Sequence, residues 1–371
     1  MPLTKLKFRP GINRDITPYS NEGGWVDGDK IRFRMGFPEK IGGWEKYSTS
    51  TYQGTARALK NWLALDGSDY LGVGTHLKYY VEEGGAFNDI TPIRATTTNG
   101  IVFAATNGST TITATDSSHG AFLGDFVTIA DAVSLGGVVT ATVLNAEHQI
   151  TSVPTDNTFT FEVSTAANGS DTGNGGAGCD AVYQISVGLD TEIGGTGWSA
   201  GTWSRGTWGS GANLTTVAEL RLWSHDNFGE DLLINPRHGA IYYWDKSEGL
   251  TARAVELSTV VVGASNIPSI VTQIMVSDTD RHIIAFGCDA IGGGGVQDPL
   301  LIRFASQETL TDWTPTATNT SGDLRLGSGS KFIKAIQTKR EIVIWTDSSL
   351  HSMRFIGPPF TFGITPVSSH I

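Results

Sequence analysis

The most direct candidate for catalysis is a Gly-x-Ser-x-Gly pattern formed by Gly197, Ser199 and Gly201. In hydrolases with this pattern the serine is a nucleophile, held on a strained turn between a strand and a helix. The residues that follow, 202–206, are Thr-Trp-Ser-Arg-Gly, which is too poor in helix-forming residues to supply that helix. We therefore interpret Ser199 as part of a Trp- and Gly-rich connector over residues 194–209.

Two other groups of residues could bind a sugar or a cation. Residues 306–314 faintly resemble the Asp-box turn of sialidase-like propellers, but they lack the Asp and Gly that define that turn. We interpret Trp313 there as a core residue that closes a blade. Three Asp-rich turns could contact Ca²⁺, yet none has the spacing of an EF-hand loop, and hairpin turns explain them. These turns are Asp27-Gly28-Asp29, Asp66-Gly67-Ser68-Asp69 and Asp278-Thr279-Asp280.

Metal and nucleotide chemistry have no signature in the sequence. The 8 histidines are scattered without metal-ligand spacing, and Cys179 and Cys288 are too far apart for a CxxC motif. No phosphate-binding glycine loop joins a strand to a helix. The sequence predicts a protein that is not an enzyme and uses no cofactor or metal. The two cysteines are predicted to be reduced thiols, Cys179 in a Gly-rich loop and Cys288 in a strand. Residues 169–178 are predicted to be a flexible Gly-rich loop.

The pattern with the clearest structural meaning lies at residues 23–44, between two Gly-Gly-Trp triplets. Residues 30–34 are Lys-Ile-Arg-Phe-Arg, an alternation typical of a strand with one apolar and one cationic face. Residues 27–28 and 35–38 have turn sequences. The cationic face could bind phosphate, could dock on an acidic neighbour or could be solvated. We predict docking, through Trp25, Lys30, Arg32, Arg34 and Trp44. The alternative for the tryptophans is a core role in turns.

Docking is favoured because charge is divided unevenly along the chain. The formal net charge is −11. Residues 1–62 carry 11 Lys and Arg against 6 Asp and Glu, a balance of +5, which leaves −16 for residues 63–371. A DNA-binding protein normally has a positive surface, because phosphate contacts supply much of its affinity. A basic segment on an acidic chain instead favours an acidic protein partner.

The composition predicts an all-β fold with many tight turns, since the chain has 46 glycines and only 17% charged residues. Units of roughly 40 residues with three or four short strands, typical of propeller blades, repeat along it. The units at 55–94 and 217–256 share a Tyr-Tyr pair, and the second has a predicted loop over residues 225–230. Further units are expected at 274–313 and 331–362. The alternative is an irregular sandwich or barrel.

Residues 95–181 interrupt this rhythm, since they contain no Trp and no Lys or Arg. We predict a small β-sandwich inserted in a surface loop, where an insertion is well tolerated. Its predicted strands cover residues 110–115, 126–129, 138–144, 148–153 and 159–163. The expected organisation is a basic docking segment with the first strands (1–54), the first β-unit of a propeller-like platform (55–94), the inserted domain (95–181) and the rest of the platform (182–371), incomplete at its C-terminus.

These features together make the chain similar to the nozzle proteins of short-tailed bacteriophages, also called tail tubular protein B or tail stabilisation protein. The resemblance covers most of the chain, although members of that family are usually longer. It is carried by residues 8–15 with Tyr19, 24–34, 38–44, 89–92, 198–208 and 235–237. The inserted segment is similar to small β-domains of phage tail proteins at residues 116–120 and 124–127.

The resemblance implies a homohexameric ring below the portal and the head-to-tail adaptor, in the tail of the virion. Genomic DNA would pass through its channel without sequence-specific binding, and tail fibres are a further partner. With no signal peptide and no apolar run of about 18 residues, we expect assembly in the host cytoplasm without a membrane anchor. One alternative is a carbohydrate-binding or glycan-cleaving tail β-protein, marked by a carboxylate pair in a cleft. Another is a solitary propeller adaptor of cellular origin, which predicts a stable monomer.

Overall fold

The chain divides into two compact units, Met1–Thr49 and Ser50–Ile371. A computed structural model of the chain describes residues 9–43, 45–188, 220, 222–260, 264, 266–278, 280–358 and 360–369, with the side chain of residue 177 excepted. Regular structure within these residues is almost entirely strand, because their helices are two of 4 residues and one 3-10 helix of 3 residues. The predicted all-β fold class is confirmed.

The first unit contains a two-stranded hairpin, β1 (Ile31–Arg34) and β2 (Phe37–Lys40). Met35 and Gly36 connect the strands with φ angles of 50° and 86°. Two consecutive positive φ angles are typical of the two-residue hairpin turns that match the twist of the strands. The predicted strand is therefore present. The predicted turn over residues 35–38 is too long, because Phe37 and Pro38 already pair with Arg34 and Phe33.

The second unit contains four antiparallel sheets and one barrel. The first sheet comprises β3 (Ala56–Leu63), β4 (Asp69–Thr75), β5 (Tyr79–Glu83) and β6 (Ala86–Asp89). The barrel comprises β7 (Ile93–Ala105), β8 (Thr111–Thr115), β9 (Phe126–Ala130), α1 (Ala141–Leu144), β10 (Glu147–Thr155), β11 (Thr158–Glu162) and β12 (Asp171–Gln184).

Three further sheets follow the barrel in the chain, each with its strands in sequence order. The second sheet has β13 (Trp223–Phe228), β14 (Asp231–Pro236), β15 (Tyr242–Trp244) and β16 (Val255–Glu256), with a 3-10 helix at Lys246–Glu248 and α2 at Leu257–Val260. The third has β17 (Val271–Val276), β18 (Ile283–Cys288), β19 (Leu301–Phe304) and β20 (Gly322–Arg325). The fourth has β21 (Phe332–Gln337), β22 (Ile342–Thr346), β23 (Leu350–Gly357) and β24 (Thr361–Ser368).

The four sheets pack face to face in chain order, which is the arrangement of propeller blades. An aromatic core joins the first sheet to the second, with Trp62 and Tyr79 against Trp223 and Trp244. Apolar clusters of the same kind join the second sheet to the third and the third to the fourth. Trp313 is buried between the second and third sheets, in the core role predicted for it. The first strands of all four sheets line one common cavity.

The repeated Tyr-Tyr pair has a structural counterpart. Tyr79-Tyr80 and Tyr242-Tyr243 lie in β5 and β15, the third strands of their sheets. Tyr79 is packed between the first and second sheets, and Tyr243 between the second and third. The pair therefore lies in the third strand of both blades, but it is shifted by one residue, because the first tyrosine faces the next sheet in β5 and the second does so in β15.

The inserted domain is all-β, as predicted, and its six strands close into a barrel instead of forming two separate sheets. Closure follows because β9 pairs with both β10 and β12. The first and last strands, β7 and β12, pair along their length, and the Ile185 N–H donates to the Pro92 carbonyl at 3.0 Å. The chain thus enters and leaves the barrel at one point, which lets the barrel sit in a loop of the platform.

Two predictions for the inserted domain are wrong. Residues 138–144 form α1 after a short bridge, with Leu144 fully buried, because packing in the barrel overrides the strand preference of this run. Most of the predicted flexible loop at 169–178 belongs to β12, which also contains the buried Cys179. Glycine is needed there at Gly176, where a Cβ atom would lie 2.1 Å from the Ile101 carbonyl oxygen.

One strand of the platform contradicts its local sequence. Residues 225–230 are predicted to be a loop, because Asp, Asn and Gly are uncommon in strands, but β13 continues to Phe228. Polar side chains of β13 accept hydrogen bonds from the third sheet. Ser224 Oγ accepts from the Ile274 N–H at 3.0 Å, and Asp226 Oδ2 accepts from the Val276 N–H at 2.9 Å. Contacts between sheets therefore stabilise a strand that local preference disfavours.

Candidate interaction surface

The hairpin of the first unit has a half-buried apolar face and an exposed charged face. Along β1, Ile31 and Phe33 are half-buried, whereas Arg32 and Arg34 are exposed. Strand pairing places Arg32 beside Glu39 and Arg34 beside Phe37. The alternation expected from the sequence is confirmed, and the exposed face carries charged and aromatic groups next to each other.

Trp25 lies on the apolar side of this unit. Its ring meets Phe33 edge-on, with the ring centroids 6.1 Å apart. Its backbone bridges to Ile12, and its carbonyl accepts from the Asn13 N–H at 2.8 Å. Trp25 is half-buried. These contacts give it the supporting role that was the alternative interpretation, and a contact with a partner stays a prediction.

The cationic stripe is shorter than the sequence suggested. Lys30 precedes β1 and has a φ of 55°, so it does not share the extended backbone of the two arginines. Its Nζ lies 3.9 Å from Asp29, with both side chains exposed. Arg32 Nε donates to Glu39 Oε1 at 2.5 Å. Two exposed arginines therefore remain on the strand, and one of them already shares its charge with a carboxylate.

Large apolar side chains are exposed at the tip of the hairpin. Met35 is 91% exposed and Phe37 is 75% exposed. Single exposed apolar residues are common on proteins, but neighbouring large ones are typical of interaction surfaces. Neither residue is among the interface residues predicted from the sequence. The signal for Met35 is the Met35-Gly36 turn itself, because connecting segments lie at the protein surface.

Several residues singled out from the sequence lie outside the described part of the chain. They include Trp44, the fifth predicted interface residue, and Ser199 with the rest of the Gly-x-Ser-x-Gly pattern. The structure brings Arg32 and Arg34 together on one face of the hairpin and places Trp25 on the opposite side, behind Phe33.

The two cysteines are buried, and hydrogen bonds hold the Asp side chains of two Asp-rich turns. Cys179 and Cys288 are free and buried, and burial raises their thiol pKa values to about 11 and about 12. Asp27 accepts from Arg14 and the Gly28 N–H, and Asp66 from Lys246 and the Ser68 N–H. Within the described residues, no group of three or more His, Cys, Asp or Glu could hold a metal ion. No helix there is long and apolar enough to cross a membrane.

A cleft of about 260 Å³ in the second unit is lined by two carboxyl groups, those of Asp280 and Glu341. Burial raises the pKa of Asp280, whereas hydrogen bonds from Ser352 and Arg354 lower the pKa of Glu341. Carboxyl groups with opposite pKa shifts can act as acid and base. The sequence does not predict this pair, because nothing in it links the turn at 278–280 to the start of β22.

Comparisons with known proteins do not identify a function for this chain. No protein-family model matches the chain, and no curated protein matches it. Among solved structures, the chain is similar to the phage phi92 endosialidase, with a TM-score of 0.23 and 12% sequence identity. The similarity covers 90% of this chain and 48% of that chain, so this chain spans about half the length of the endosialidase. A similarity this distant assigns no activity.

Proposed function

We propose that this protein is a structural component of a phage tail, which forms a ring below the portal and adaptor and provides a channel for DNA. The observation that carries the proposal is the exposed face of the hairpin, where Arg32, Arg34 and Phe37 adjoin. It lies in the segment with the strongest resemblance to nozzle proteins. Arginine and large apolar residues side by side are typical of protein interfaces.

Charge supports contact between copies of the chain. Residues 1–62 carry +5 and residues 63–371 carry −16. The basic segment of one copy can therefore dock on the acidic part of the next. Such a contact joins two different surfaces, and contacts of this kind close into a ring when the rotation between copies permits it. We further propose that the ring is a hexamer and that the portal, the adaptor and tail fibres are its partners.

The test is the double variant Arg32→Glu and Arg34→Glu. We expect the wild-type chain to form a ring, alone or when mixed with a portal–adaptor complex, and the variant to stay monomeric with its circular dichroism spectrum unchanged. Mass in solution and negative-stain images measure both. The reason is that charge reversal turns attraction toward an acidic neighbour into repulsion.

Arg325→Glu is a matched control for Arg32. Both arginines lie in strands, both are 60% exposed, and both form an ion pair with a nearby carboxylate. This control should assemble like the wild type. Normal assembly of the double variant, or a wild-type chain that is monomeric in both conditions, would contradict the proposal.

A glycan-cleaving tail protein is the second candidate, favoured by the cleft that contains Asp280 and Glu341. In glycan-cleaving enzymes one carboxyl group is held neutral as an acid, and the other is ionised. Depolymerisation of host surface polysaccharide by the purified chain, lost in Glu341→Gln, would replace the ring proposal with this one.

A further inference from the structure

The cleft of about 260 Å³ in the second unit contains a carboxyl group without a partner. The cleft lies between the turn after β17 and the fourth sheet, because Ser277 and Asp280 line one side and residues of β21 to β24 line the rest. Asp280 is 9% exposed. Among the described residues its carboxyl group accepts no hydrogen bond and forms no ion pair. Buried polar groups nearly always have a partner, so a bound ligand would account for this one.

A second unpartnered acceptor lines the same cleft. Gln337 Oε1 is buried and has no hydrogen-bond partner among the described residues, whereas its Nε2 donates to the Thr338 carbonyl at 3.0 Å. Glu341 adds a carboxylate, which Ser352 Oγ and Arg354 Nη2 hold in place at 2.6 Å each. The cleft therefore offers acceptors that lack a donor. A ligand with several hydrogen-bond donors would satisfy them.

The remaining lining limits the charge of this ligand. Phe355 is 40% exposed and forms an apolar wall with Phe362, whose ring centroid is 5.7 Å away. Cationic side chains also line the cleft, those of Lys339, Arg340 and Arg354. They would repel an ammonium group, while the two carboxyl groups would repel an anion. The lining therefore favours a neutral ligand with many hydroxyl groups and one apolar face.

We propose that the cleft binds a neutral hexose, whose hydroxyl groups donate to Asp280 and Gln337 while the apolar face of the sugar packs on Phe355. The volume is just below the roughly 300–1,000 Å³ of pockets for larger ligands, which suits a single sugar unit. A free hexose and one unit of a polysaccharide offer the same chemistry. Such binding requires neither a ring of subunits nor cleavage of a glycan.

The full chain allows a direct test by NMR titration that observes the ligand. D-glucose, D-galactose and D-mannose are the probes, and their methyl glycosides are titrated separately. We expect saturable binding of at least one hexose, with one site per chain. Tetrahydropyran, which has the sugar ring without the hydroxyl groups, should not bind, because it would leave the buried acceptors unpaired. Binding of a methyl glycoside indicates a unit of a polysaccharide, whereas binding of the free hexose alone indicates a free sugar.

Asp280→Ala should weaken the binding about tenfold to hundredfold, the loss expected for one hydrogen bond to a charged acceptor. It should not lower the Tm, because Asp280 has no partner among the described residues to lose. Gln337→Met should weaken the binding in the same way. Asp289→Ala is the control, since Asp289 is 7% exposed but does not line the cleft, and its Oδ1 accepts from the Ser269 and Ile270 N–H groups. This control should lower the Tm and leave the affinity unchanged.

Three results would overturn the proposal. One is the failure of every hexose and methyl glycoside to bind saturably. Another is equal affinity of the wild-type chain and the folded Asp280→Ala and Gln337→Met variants. The third is tighter binding of D-glucosamine than of D-glucose, which would indicate a site for an ammonium group. A chain that binds a hexose but stays monomeric would contradict ring formation and leave this site in place.

Discussion

Among the described residues, the second unit has a buried ion-pair network in addition to surface pairs, whereas the ion pairs of the first unit lie at the surface. In the first unit, Arg32 and Glu39 form a surface pair with side chains 60% and 37% exposed. In the second, the Lys78 side chain is 3% exposed, and its Nζ lies 2.8 Å from Asp89 and 2.6 Å from Glu147. Surface pairs contribute little to stability, whereas loss of one partner of a buried pair is costly. Removal of one partner should therefore destabilise the fold strongly at the buried network and weakly at the surface pair.

The Lys78 network fastens the barrel to the first sheet. Lys78 and Asp89 belong to the first sheet and its connections, and Glu147 begins β10 of the barrel. Gln184 Nε2 donates to Glu147 Oε1 at 2.6 Å, and Arg253 Nη1 lies 2.8 Å from Asp89. Burial raises the pKa of Asp89, but the attraction and hydrogen bond of Lys78, together with Thr91 and Arg253, outweigh this effect, and the net shift is downward. One buried cation thus connects two domains.

The largest expected effect is that of Lys78→Met. This variant should lower the free energy of unfolding by about 3–5 kcal/mol, because Asp89 and Glu147 would lose the buried cation they share. Urea denaturation followed by circular dichroism measures the change. The barrel should also become easier to cleave by protease near residues 90–93, where its connection to the first sheet begins.

Lys30→Met is the control for Lys78→Met. The Lys30 and Asp29 side chains are 86% and 87% exposed, so the free energy of unfolding should change by less than about 0.5 kcal/mol. A similar loss of stability in the two lysine variants would remove the contrast between the units.

A fall in pH should lower the free energy of unfolding of the second unit through its histidines, by less than Lys78→Met does. Residues 1–49 contain no histidine, whereas the second unit has His148, His225 and His282, whose pKa values burial lowers. A histidine with a lowered folded pKa stays neutral in the fold while its unfolded counterpart binds a proton below about pH 6.5. Stability is therefore full above that pH and falls as the pH approaches the folded pKa.

His225 should dominate this pH dependence, since its pKa is lowered to about 4. Between pH 7 and pH 5 it should reduce the free energy of unfolding by about 2 kcal/mol. Urea midpoints over this range measure the decline, which His225→Gln should make shallower. Nearby Lys60 and Lys334 disfavour protonation of His225, and Asp226 favours it. If His225→Gln leaves the pH dependence of the urea midpoint unchanged, a group other than His225 causes the decline.

The sequence predicts the platform better than the barrel for a physical reason. β18 and β22 have apolar cores and turn residues at their ends, so local pattern and final structure agree. β7 and β12 are long and rich in Thr, Asn and Gly, and the barrel forms because they pair with each other across a long stretch of chain. Such long-range pairing leaves no local signature.

The candidate sites also differ in whether the local sequence or long-range packing creates them. The cationic face of β1 is visible in the sequence because Arg32 and Arg34 are two residues apart on one strand. Asp280 and Glu341 line one cleft only when the third and fourth sheets pack. Local alternation could therefore predict the hairpin surface, whereas the cleft with two carboxyl groups required the fold.

Apart from the Lys30→Met control, the smallest expected effect is that of Arg32→Ala. Since the Arg32–Glu39 pair lies at the surface, its loss should lower the free energy of unfolding by at most about 1 kcal/mol, and less at high salt. Urea denaturation at two salt concentrations measures this change. A loss above about 2 kcal/mol would mean that this ion pair stabilises the hairpin itself. The hairpin would then resemble the Lys78 network, and an interface with a partner would have to rest on the exposed Met35 and Phe37 instead.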